Sequence, residues 1–173
     1  MEQLEEKTLY LATLVFPIKG NNVLMAEKMK KIGKGNLNGW GGGVENGETI
    51  IQCACREFQE ETGGAKILPA DLKKIAIIHF HNIKSDGTVF VCTVHIFVAE
   101  GWIGKIVNTD EMRDPRWVLK EDLPKMKLMP ADFYLFPFIF ENKPFIATAH
   151  YGPFQATLLE PVEIKFVDSF VEG

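Results

Sequence analysis

The chain has 173 residues, 46% of them hydrophobic and 24% charged, with a net charge of −4. That length suits one domain with a real core, and so ordinary a composition excludes a disordered or low-complexity chain. The mildly acidic balance argues against non-specific attraction to a nucleic-acid backbone or an anionic membrane; handling phosphates would take locally placed cations or a metal. Three cysteines, with Cys53 and Cys55 only two apart, fit a reducing compartment better than a disulfide framework. The N-terminal stretch lacks the apolar core of a secretory signal, and no apolar run approaches about 18 residues. A cytoplasmic location with no membrane partner is therefore expected.

In chain order, Leu9–Ile18 ("LYLATLVFPI") is apolar and partly β-branched, "GNN" follows as a turn, and "VLMAEK" returns. This predicts a hairpin. Lys28–Gly43 ("KMKKIGKGNLNGWGGG") is basic and too rich in glycine for a regular element, so it reads as a loop. From Thr49 to Thr62, Ile50, Ile51, Ala54, Cys55 and Phe58 recur at helical spacing, and Gly63 and Gly64 stand where a helix ends. "IAIIHFHNI" and "TVFVCTVHIFVAE" flank "KSDG", a strand–turn–strand pattern. "PRWVL" predicts a short strand, Ala131–Phe140 a buried helix interrupted at Pro137, and "FIATAHY" and "EIKFV" closing strands. With no linker or repeat, the expectation is one α/β (α+β) domain over 1–173, built from a mixed sheet and two helices.

The predicted helix carries Glu57, Glu60 and Glu61 at i, i+3 and i+4, hence on one face. Like charges so placed repel by a few tenths of a kcal/mol per pair, and Arg56 relieves part of this through Glu60, its i+4 neighbour. A solvated helix face accounts for such a cluster. The glycine-rich "GWGGGVENGE" leading into it favours another reading, because hard oxygen ligands on a rigid element suit Mg²⁺.

"GGVENGETIIQCACREFQEETGG" resembles the Nudix box, G-x5-E-x7-R-E-U-x-E-E-x-G-U, with U a bulky aliphatic residue. Gly42, Glu48, Arg56, Glu57, Glu60, Glu61 and Gly63 fall at the required positions. Phe58 is apolar but aromatic, and Gly64 departs from the final U. "NGWGGGVENGETI", "NTDEMRDPRWV" and "MPADFYLFPFIF" extend the resemblance to the MutT-like branch, which includes oxidised-purine nucleoside triphosphatases.

The resemblance implies a Nudix fold, a mixed β-sheet sandwiched between helices, and hydrolysis of a nucleoside diphosphate derivative with Mg²⁺ or Mn²⁺. It implies Glu57, Glu60 and Glu61 as catalytic and metal-binding residues, with Glu57 first choice as base, although the base varies across the family. The Gly41 carbonyl and Glu111 are the further metal ligands it implies. Glu48 and Arg56 resemble the pair that braces the loop against the helix. For the substrate it implies Thr13, Lys28, Asn38 and Asp132, with Asn38 and Asp132 on the purine; Ala131 and Met129 replace a second aspartate and a stacking tryptophan. The expected reaction takes a purine nucleoside triphosphate, including an oxidised one such as 8-oxo-dGTP, to monophosphate and pyrophosphate, in nucleotide-pool sanitation. Alternatives are ADP-ribose, a dinucleotide or an RNA 5′ end as substrate, or a catalytically silent nucleotide-binding module. The expected partner is the nucleotide, with no stable nucleic-acid binding, on a monomer or weak homodimer. His79, His81 and His95 lie in apolar strands and are read as structural or pocket-lining, and Trp40 as the anchor of the glycine loop.

Overall fold

The computed structural model describes residues 6–170. The predicted hairpin forms: β1 (Leu11–Lys19) turns into β2 (Asn22–Lys28). The stretch read as a loop holds two more strands, β3 (Leu37–Asn38) and β4 (Trp40–Gly43). Glycine content hides β4 from a propensity reading. At Gly41 a Cβ would collide with the Thr13 carbonyl oxygen, and at Gly42 it would stand 2.6 Å from Glu57 Cδ. These glycines let two backbones and a carboxylate come together.

Helix α1 (Ile50–Glu61) starts on a capping box in which the Thr49 hydroxyl accepts from Gln52 N at 3.1 Å and Thr49 N donates to the Gln52 side chain at 2.9 Å. Such a cap stabilises a helix by about 1 kcal/mol. After α1 come β5 (Leu72–Ile83), β6 (Val89–Ala99), β7 (Met112–Leu119), α2 (Asp132–Leu135), β8 (Phe145–Tyr151) and β9 (Glu163–Phe166). The helix expected over Ala131–Phe140 is one α-helical turn that continues as a 3-10 helix over Phe136–Glu141. Pro137, which has no N–H to donate, stands at the change.

The nine strands of the described residues join one mixed sheet in the order β3-β2-β1-β6-β5-β8-β9, with β4 on β1 and β7 on β2. β1 runs parallel to β6, and β5 parallel to β8; the other pairs are antiparallel. Strand alternation sends the two faces to different cores. Val15, Phe97 and Ala99 pack with Ala54 and Phe58 of α1, and Trp40 meets Phe58 edge-on at 6.1 Å. Phe16, Ile78 and Ile96 pack on the other face with Leu123, Leu135, Phe136 and Ile139. The sheet is thus sandwiched between α1 and the helical segment around α2.

Candidate active site

α1 buries Cys53, Ala54 and Phe58 against the sheet and leaves its glutamates beside β4. Arg56 holds them in place. Its Nε and Nη2 grip both oxygens of Glu48, at 2.6 and 2.9 Å, while Nη2 also donates to the Gly43 carbonyl at 3.1 Å. Its Nη1 donates to Glu57 Oε1 at 2.9 Å and to Glu60 Oε2 at 3.2 Å. This fork fixes the glycine loop to the helix in a way a lysine cannot reproduce. The bond to Arg56 holds the Glu48 carboxyl down at about 2.

Glu61 lies deeper, its Oε2 accepting from Gly41 N at 3.1 Å. Burial, and next a hydrogen bond with the Glu111 carboxyl, push the Glu61 carboxyl well above its usual range. Burial also raises the Glu57 carboxyl, and Arg56 opposes this. Glu111 lies in the bend immediately before β7. Thr109 bridges the two elements: its hydroxyl donates to the Glu61 carbonyl at 3.0 Å and accepts from Met112 N at 3.2 Å. The Glu111 carbonyl in turn accepts from Met29 N at 2.9 Å, which sets Lys28 alongside. Burial lowers the Lys28 ammonium, against the pull of Glu61.

The site opens on a cavity of about 510 Å³. Glu57, Glu60, Glu61, Glu111, Gly41, Lys28 and Asn38 all belong to its wall. Two residues expected there do not. Thr13 points to the opposite face of β1, where its hydroxyl meets Cys53 Sγ at 3.3 Å under α1, and its neighbour Leu14 lines the cavity instead. Adjacent residues of a strand face opposite sides, so a shift of one exchanges core for wall. Asp132 is buried, 6% exposed, and stands behind the wall rather than in it. Met129 is packed against the loop, its Sδ accepting from Asn36 Nδ2 at 3.0 Å. The sequence reading did not single out Thr109, although it lies within "NTDEMRDPRWV", nor Asn82 and Gln155, which no local pattern marks.

Among the described residues, no three His, Cys, Asp or Glu side chains stand close enough to hold a metal alone. The donor set nevertheless suits a hard cation: carboxylate oxygens, a backbone carbonyl, and a close Glu61–Glu111 pair whose like charges a divalent ion would offset. Mg²⁺ takes its remaining oxygens from phosphate and water, so an open half-site is the arrangement expected for it.

This fold and box define a phosphoanhydride hydrolase family, and a NUDIX domain model matches residues 8–138, so the chain belongs to the Nudix hydrolases. It is 36% identical over 161 residues to the oxidized purine nucleoside triphosphate hydrolase of Mus musculus, covering 92% of this chain and 97% of that protein. With the protein of the same name from Danio rerio it shares 38% identity over 137 residues, 79% of this chain and 83% of that one. In structure it is similar to the MutT protein of Bacillus halodurans, with TM-score 0.75 and 22% identity over 90% of this chain and 97% of that one. No helix among the described residues is long and apolar enough to cross a membrane.

Proposed function

We propose that this Nudix hydrolase cleaves a purine nucleoside triphosphate, oxidised purines such as 8-oxo-dGTP included, to the monophosphate and pyrophosphate. The observation that carries the reading is the braced helix turn, which sets Glu57 and Glu61 against Gly41 and Gly42 at the wall of a nucleotide-sized cavity. The names of the mouse and zebrafish relatives support the substrate class. Glu57, Glu60, Glu61, Glu111 and the Gly41 carbonyl are the residues that would hold Mg²⁺. A bound Mg²⁺ supplies charge neutralisation along the polyphosphate and acidifies water.

The chain's own residues do the rest. Arg56 occupies Glu57 Oε1, so Oε2 is the oxygen left to orient the attacking water and take its proton. Lys28, in the same wall, meets the anionic substrate. Asn38 Oδ1 accepts from Gly39 N at 2.8 Å, so its amide hydrogens remain for the substrate. The role is pool cleansing: an oxidised triphosphate reduced to its monophosphate cannot be polymerised.

Incubation with Mg²⁺ and a panel of normal and oxidised nucleotides tests this. Monophosphate with pyrophosphate, abolished by a chelator, is the expected outcome. Cleavage of ADP-ribose alone, or binding without turnover, would replace the reading.

A further inference from the structure

The cavity wall formed by β5 and the turn after β8 carries polar groups for which hydrolysis has no use. Asn82, near the end of β5, is 5% exposed. Its Oδ1 accepts from Gln155 Nε2 at 2.9 Å, and its Nδ2 donates to the Phe80 carbonyl at 2.9 Å. Asn82, Gln155, Phe90 and Phe154 all line the cavity. Between β4 and β5 lie β1 and β6, so the two walls are three strand spacings apart, about 14 Å. That is the reach of a nucleotide from its polyphosphate to its base.

The turn that delivers Gln155 is strained. Phe154 has φ 58° and Gln155 φ 54°, a left-handed backbone that costs a non-glycine residue about 1–2 kcal/mol. Strain of this kind gathers where the aim of a side chain matters. The amide orientations are fixed by chemistry: the Phe80 carbonyl can only accept, so it sets Asn82, whose oxygen then sets Gln155. Gln155 is left with Oε1 as an acceptor and its second Nε2 hydrogen as a donor, neither with another partner among the described residues. Asn38 Oδ1 already accepts from Gly39 N, and its amide hydrogens remain to donate.

We propose that Gln155, held by Asn82, is a specificity-determining residue that reads the N7/O6 edge of a purine and selects one presenting a donor beside an acceptor there, and so favours 8-oxoguanine over guanine. Guanine turns two acceptors, N7 and O6, along that edge, which sets one of them against Oε1. Oxidation at C8 places a hydrogen on N7 and makes it a donor next to O6. The inference rests on the purine-nucleotide reading above and identifies the residue that would make the choice.

The test compares the wild-type chain with Gln155→Met and Gln155→Ala, each first shown to keep a cooperative melting transition. Titration calorimetry with 8-oxo-dGMP and dGMP reads the base edge without hydrolysis, and kcat/KM on the two triphosphates reads it in turnover. The preference for the oxidised base is expected to fall about tenfold in both variants, the worth of one good bidentate contact. A preference that survives in either variant, or an equal loss for both nucleotides, overturns the assignment. Should the wild-type chain hydrolyse neither triphosphate, the hydrolase reading fails separately, and the calorimetric preference still decides the role of Gln155.

Discussion

Glu48 and Asp132 are both carboxyl side chains withdrawn from solvent, and the protein moves their protonation in opposite directions. Glu48, its side chain 12% exposed, meets the Arg56 fork and is held at about 2. Asp132 is pushed up to about 8 by burial, with Lys28 pulling back through space. A guanidinium in bidentate contact more than repays desolvation; an ammonium out of contact does not. The helix end of the site is therefore a braced array of charges. The α2 corner is a neutral, packed wall, and the two ends answer to substitution differently.

The largest effect belongs to the braced end. Glu57→Gln keeps the shape and the Arg56 contact but removes the proton acceptor, so turnover should fall about 10²–10⁴-fold with the melting temperature nearly unchanged. A variant that stays fully active would move the chemistry off Glu57 and dissolve the contrast. Next comes Gly41→Ala. The added Cβ drives into the Thr13 carbonyl, so β4 must part from β1. A loss of about 3 kcal/mol is expected in urea unfolding, at the upper end for overpacking.

Arg56→Lys sharpens the comparison directly, because it turns the fork into a point charge. About 2 kcal/mol should be lost at neutral pH, the scale of a hydrogen bond between charged groups. The pH dependence has a definite sign. A depressed carboxyl stabilises the fold fully above its ordinary value of 4.5 and loses that contribution as pH falls through about 2. The wild-type and Arg56→Lys unfolding curves should therefore stand apart at pH 7 and converge in acid. Curves that stay parallel would show that the fork does not set Glu48.

How far each region was legible in the sequence follows the same division. Glu57, Glu60, Glu61 and Arg56 lie within one helical turn and a half, and a local period of 3.6 places them on one face without knowledge of the fold. The glycine strand was not legible. "WGGG" reads as a loop until the Thr13 backbone and the Glu57 carboxylate crowd it. Alternation says that Thr13 and Leu14 face apart but not which side α1 will cover, and the structure turns Thr13 toward α1. Asn82 and Gln155 meet across 73 residues, and neither stands in a pattern that marks it.

The smallest expected effect lies at the neutral corner, and it runs opposite to that at Glu48. Asp132 holds its proton up to about 8 in the fold, whereas an ordinary carboxyl gives it up near 3.8. Between those values the folded chain binds more protons than the unfolded one, so stability declines as pH rises through the window. Asp132→Asn keeps the size of the group and removes its charge. The variant should lose that decline and be the more stable protein above pH 7, by on the order of 1 kcal/mol. Urea midpoints for both chains at pH 5, 7 and 9 decide it: the gap should widen with pH. If it narrows instead, Asp132 is ionised in the fold, and Lys28 compensates it as Arg56 compensates Glu48.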